Sequence, residues 1–150
     1  MPIHLEIRRA TKLATPSLGQ FKTWIYPAVA LKQARLCIRL VDKPEMELLN
    51  LQYRHKNKPT NVLAFPSQLP KSLARGQLGD LVLCAEVIVE EAQIQEKSLE
   101  AHWAHLVIHG TLHLLGYDHQ KPDEAAVMEA LETTLITDLG YPPPYGVLND

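Results

Sequence analysis

Arg35-Leu-Cys-Ile-Arg-Leu-Val41-Asp42-Lys-Pro44-Glu45 changes character within eleven residues. The first seven read as a strand. Asp42 and Glu45 then have the spacing of a capping box, and proline is tolerated at Pro44 in a first helical turn. That helix is expected to run to about Tyr53 or Arg54. Upstream, Ile3, Leu5 and Ile7 alternate with polar residues as a strand does, and Ser17 is placed to cap a helix reaching about Ala34. Downstream, Asn61-Val-Leu-Ala-Phe65 reads as a third strand stopped by Pro66, and residues 67–78 as a polar loop. Gly79-Asp80 leads into a fourth strand, Leu81-Val-Leu-Cys84. A helix is expected over 85–96, another from Ser98 to Leu115, and a last one opened by Pro122-Asp123-Glu124 and ended by Gly140. Strands mixed with helices make an α+β fold: one domain, with a mixed four-stranded sheet packed with helices. The domain is expected over residues 1–141, with 142–150 as a flexible tail.

The bulk numbers agree with one globular domain. A chain of 150 residues buries enough apolar surface to need no disulfide staple. The hydrophobic and charged fractions, 46% and 21%, are those of ordinary globular proteins, which argues against disorder. Cys37 and Cys84 lie in apolar stretches without metal-pair spacing and read as buried free thiols of a reducing compartment. No apolar run is long enough for a membrane span, and the N-terminus lacks a signal-peptide core, so the cytoplasm is the expected location. Charge is unevenly divided. Residues 1–75 hold 13 of the 15 Lys and Arg but 4 of the 17 Asp and Glu. Either the basic half meets a polyanion, or the halves interleave and their charges pair.

The chemistry is concentrated in His102-Trp-Ala-His105-Leu-Val-Ile-His109-Gly-Thr-Leu-His113-Leu-Leu-Gly116-Tyr-Asp118-His119. Four-residue spacing puts His109 and His113 on one helix face, where a single ion can join them. Gly116 can reverse the chain past the helix end and return His119 to the same ion. H-x-x-x-H-x-x-G-x-x-H is the spelling of the metzincin zinc site. Three neutral imidazoles suit one Zn²⁺ per chain and leave a fourth position for water, whose pKa zinc lowers to about 7. Metzincin peptidases have glutamate, their general base, after the first histidine. Here that residue is Gly110, which carries no proton and counts against a peptidase. His105 is also four residues from His109 and offers an alternative pair. His102 and His105 are read as packing or supporting residues, and Asp118 as a ligand, a supporting acceptor or a helix-end group.

A second cluster, Tyr53-Arg54-His55-Lys56-Asn57-Lys58-Pro59-Thr60, is basic and follows a helix. It reads either as a solvated loop at a helix C-terminus or as a phosphate site, with Arg54 supplying a bidentate clamp.

Three stretches together resemble the YbeY family of bacterial rRNA-processing endoribonucleases: Tyr53-Arg54 with Lys58-Pro-Thr-Asn-Val-Leu-Ala-Phe-Pro66, Gly79-Asp-Leu-Val-Leu83, and Ala104-His with His109-Gly-Thr-Leu-His-Leu-Leu-Gly-Tyr-Asp-His119. The resemblance spans most of the chain, and the last motif is its most specific part. It implies a single-strand-specific metallo-endoribonuclease that matures the 3′ end of 16S rRNA and serves 70S ribosome quality control. Small-subunit rRNA and ribosomal proteins would be its partners, and no membrane is involved. It also implies zinc at His109, His113 and His119, and a functional arginine at Arg54. His55 stands where the family usually has glycine, and Asn57 where it usually has aspartate.

On this reading zinc offsets charge on the phosphodiester while Arg54 stabilises the phosphorane-like transition state. The nucleophile is left open between the RNA 2′-OH and zinc hydroxide. Two rivals differ in class: a zinc peptidase-like hydrolase, for which only Asp118 is a candidate carboxylate, and a non-catalytic ribosome assembly factor with structural zinc.

Overall fold

Strand β1 (Ile3–Arg9) lies parallel to β2 (Ala34–Val41), which lies parallel to β4 (Gln77–Cys84). The edge strand β3 (Val62–Pro66) runs antiparallel to β4 and completes the order β1-β2-β4-β3. The computed structural model describes residues 3–30, 33–118 and 120–145. Helices α1 (Leu18–Val29), α2 (Lys43–Arg54), α4 (Ala85–Ile94), α5 (Leu99–Leu114) and α6 (Pro122–Asp138) surround this mixed sheet, with a single turn, α3 (Lys71–Ala74), before β4. This is the α+β domain with a mixed four-stranded sheet expected from the sequence. Among the described residues, no helix is long and apolar enough to cross a membrane.

The strand period divides the core. Leu36, Ile38 and Leu40 of β2, with Leu81 and Leu83 of β4, face a cluster built with α1 and α5. On the other face Val41, Leu63, Val82 and Cys84 pack with Met46 of α2. Cys84 is buried as expected, whereas Cys37 is only half-buried; both are free thiols. Ten of the sixteen residues of α5 are buried, so this helix is apolar nearly all round and lies among α1, α4, α6 and the sheet. Gly110 permits that approach. A Cβ there would come within 2.7 Å of Leu81 Cδ2 and 3.2 Å of Val62 Cγ2.

Several boundaries differ from the sequence expectation. Ser17 does cap α1, in a full box with Gln20, but the helix stops at Val29 rather than near Ala34. Pro27 removes a donor from its last turn, and Ala30 adopts the left-handed conformation that ends it. Asp42 precedes α2 as expected, yet the proposed capping box is absent. The Thr11 hydroxyl donates to the Asp42 carboxylate at 2.5 Å, Glu45 pairs with Arg39, and the Lys43 N–H donates instead to Glu86 at 2.7 Å. A side chain 43 residues away thus satisfies the helix terminus. The expected loop over 67–78 contains α3, and β4 begins at Gln77, four residues before the expected start.

Candidate metal centre and nucleic-acid cleft

Helix α5 is started by Ser98, whose hydroxyl accepts from the Ala101 N–H at 3.0 Å. It presents His105, His109 and His113 in one line, four residues apart. The ring centroids of His105 and His109 are 6.2 Å apart, and those of His109 and His113 are 4.7 Å apart. The Nε2 atoms of His109 and His113 face each other at 3.2 Å. Two nitrogens bound tetrahedrally to one zinc, each about 2.0–2.1 Å away, would lie roughly 3.3–3.4 Å apart. These two rings therefore fit a shared ion with little movement.

The chain reverses after α5 as its sequence suggested. Gly116 has φ +105°, and the N–H groups of Gly116 and Tyr117 donate to the carbonyls of His113 and Leu112, each at 3.0 Å. His119, the third expected ligand, lies outside the described residues, as do residues 146–150 of the expected tail. Asp118 accepts from the Gln120 N–H at 3.2 Å and lines the same cavity as the histidines.

Helix α6 brings Glu132 against this row. Its side chain is fully buried. Oε2 accepts from His109 Nδ1 at 2.8 Å and lies 3.3 Å from His105 Nε2. Oε1 accepts from the Tyr145 hydroxyl at 2.8 Å, and the Tyr145 ring meets His105 edge-on. Burial alone would raise the Glu132 pKa, but hydrogen bonds from His105, His109 and Tyr145, with the charge of His109, bring it down to about 2. Burial lowers the pKa of His105 despite the hydrogen bond to Glu132. Burial, followed by the Glu132 charge, raises that of Tyr145. His105, His109 and Glu132 each offer a ligand atom within 4.8 Å of the others and could together hold a metal ion. His109 belongs to both arrangements, with Nδ1 toward Glu132 and Nε2 toward His113. His102 stands apart: buried, it contacts the Glu91 carboxylate of α4 at 2.8 Å.

A cavity of about 690 Å³ joins these side chains to the second cluster of the sequence analysis. His105, His109 and His113 line it together with Val62 and Ala64 of β3 and with Arg54, the last residue of α2. Past Arg54, His55 turns the chain in the left-handed conformation, φ 58° and ψ 31°. Buried Asn50 donates to the Lys58 carbonyl at 2.8 Å and ties the basic loop to α2. Among the described residues, Lys43–Glu90 is the one Lys or Arg ion pair joining the basic half to the acidic half; Arg8–Glu6 and Arg39–Glu45 lie within the basic half.

Sequence reasoning singled out Arg54, His109 and His113, and the fold brings these three to one cavity. It missed Glu132 and Tyr145. For Glu132 a signal existed: it occupies the apolar stripe of α6 formed by Met128, Leu135 and Ile136, where a carboxylate is out of place.

Two comparisons bear on this arrangement. The solution structure of TM1509 from Thermotoga maritima shares the fold, with a TM-score of 0.55 and 20% sequence identity over 98% of this chain and 99% of that one. The family model for endoribonuclease YbeY matches residues 8–140. With a cleft that joins a histidine row to an exposed arginine, and with that match over nearly its whole length, the chain belongs to the endoribonuclease YbeY family.

Proposed function

We propose that this chain is a single-strand-specific, zinc-dependent endoribonuclease that matures the 3′ end of 16S rRNA and takes part in 70S ribosome quality control. His109, His113 and His119 hold the zinc, and Arg54 is the catalytic cation. The observation that carries this reading is the pair of Nε2 atoms facing each other at 3.2 Å in the cavity that Arg54 lines. When bound, zinc supplies a Lewis acid that offsets charge on a phosphodiester.

Arg54 does the rest of the electrostatic work. Exposed at a helix C-terminus, its guanidinium is free to swing to a phosphate, and its planar fork matches two phosphate oxygens. Charge growing on the phosphorane is stabilised there. Single strands suit the cleft because an unpaired backbone can bend to put one phosphate beside both the histidines and Arg54. The peptidase alternative is weakened because Gly110 stands where the glutamate base would be, and even a Cβ there would come within 2.7 Å of Leu81.

The test is cleavage of an rRNA fragment carrying the unprocessed small-subunit 3′ end, single-stranded or annealed to its complement. Zinc-loaded protein should cut the single strand, and chelation should abolish cutting. Equal cutting of the duplex, or full activity after complete metal removal, would overturn the proposal.

A further inference from the structure

We propose that Glu132, secured by Tyr145, is a positioning residue that holds His109 in the tautomer presenting Nε2 to a metal ion. The inference rests on the reading of His109 and His113 as ligands. An ionised carboxylate only accepts hydrogen bonds, so the 2.8 Å contact with Glu132 Oε2 places the imidazole proton on Nδ1. A neutral ring has one such proton. The lone pair is then on Nε2, the atom that faces His113 at 3.2 Å.

The carboxylate is itself held at both oxygens. Tyr145 donates to Oε1 at 2.8 Å, while His109 and His105 lie at 2.8 and 3.3 Å from Oε2. It is thereby restrained from turning away from the ring. Its place on α6 supports a dedicated role. Met128 and Ile136, one turn to either side, are buried apolar residues, and an aliphatic side chain at position 132 would continue their stripe. Glu132 is not in place to ligate an ion held at His109 Nε2. The two nitrogens point out of opposite sides of the imidazole, and Glu132 sits at hydrogen-bond distance on the Nδ1 side. Tyr145 comes from the chain beyond α6, so the segment after the last helix contributes to the order of the centre.

The experiment combines imidazole nitrogen NMR on the metal-free chain with zinc affinity measured by competition against a chromophoric chelator. Metal-free wild type should show His109 protonated at Nδ1. Glu132→Gln should weaken zinc binding about 10- to 100-fold, as loss of a partner to a ligating histidine does, and should populate the other tautomer. Tyr145→Phe should shift both readouts the same way, by less. The proposal is overturned by a proton on Nε2 in the wild type, or by a folded Glu132→Gln with wild-type affinity. It is equally overturned if Glu132→Gln loses zinc as completely as His113→Ala, since Glu132 would then be a ligand. Wild-type zinc affinity in His113→Ala would instead remove the His109–His113 site itself. If Glu132→Gln does not fold, the wild-type tautomer and Tyr145→Phe decide the matter.

Discussion

On the α5 side of the cleft, the His105 and His109 side chains are only 12% and 20% exposed and share a buried carboxylate. At the end of α2, Arg54 is exposed and is followed by an exposed loop whose left-handed turn is made by His55. On the proposed function, one side is ordered before any ligand arrives and the other is completed by the ligand. The contrast follows from the chemistry each must do. A metal is bound more tightly when its donor atoms already converge, because reorganising a misplaced ligand costs binding energy. A cation that meets a phosphate has to stay hydrated and mobile until the phosphate displaces its water. The α5 side should therefore respond to substitution through zinc affinity and stability, and the α2 end through turnover with the fold untouched.

Arg54→Lys gives the largest expected effect. Lysine keeps the charge but lacks the planar fork. A hundredfold fall in kcat/KM on single-stranded RNA is expected, equivalent to about 2.7 kcal/mol of transition-state stabilisation, with zinc content and melting temperature unchanged. Arg54→Ala should be at least as defective. A lysine variant with wild-type kcat/KM would break the contrast, because the α2 end would then have no catalytic part.

Gly110→Ala should perturb the ordered side next. The new Cβ would meet Leu81 Cδ2 at 2.7 Å, so this fully buried side chain would have to shift within the core. Overpacking of this kind costs about 1–3 kcal/mol. Because Gly110 adjoins His109, α5 should shift against β3, and zinc affinity should fall with stability. Denaturant unfolding and zinc competition measured on one preparation would check this. Normal stability would mean that α5 does not need this close approach to the sheet.

Legibility in the sequence followed the range of the interactions. The Ser17 and Ser98 caps, the Pro122 start of α6 and the Gly116 turn are made within a few residues, and local reading found them. The Asp42 box failed because both of its side chains were taken elsewhere: Asp42 by Thr11, and Glu45 by Arg39. The length of α1 was overestimated because Ala30, a good helix former, takes a left-handed conformation that its side chain does not announce. At the centre itself the four-residue histidine spacing was readable, but the contact of Glu132 with His109 spans 23 residues and joins two helices. Only the oddity of an acid in the apolar stripe of α6 hinted at it.

Gly116→Ala tests how far order on the α5 side depends on its turn. The glycine has φ +105°, and an added Cβ would meet no atom within 4 Å, so the strain of alanine would be purely conformational. A penalty of roughly 1 kcal/mol or more is expected. For a chain of this length, each 1 kcal/mol lowers the melting temperature by about 2–4 °C. Zinc affinity should fall as well, since Asp118 and His119 follow the turn directly. Loss of melting temperature with unchanged zinc binding would separate the turn from the metal centre.

The smallest effect is expected at His55, and it has the opposite sign. His55 adopts φ 58° and ψ 31° at the end of α2, a conformation that disfavours a side chain by roughly 1–2 kcal/mol. Glycine would relieve that strain but would add freedom to the unfolded chain worth about 0.5–1 kcal/mol. His55→Gly should therefore stabilise by about 1 kcal/mol or less, seen as a small rise in melting temperature. The backbone path of the loop is already the one a glycine would take, and Asn50 still ties it down at Lys58. Arg54 should keep its place, with kcat/KM near that of the parent chain. A destabilised His55→Gly would show instead that the histidine side chain holds the loop, and the α2 end would then be more ordered than its exposure implies.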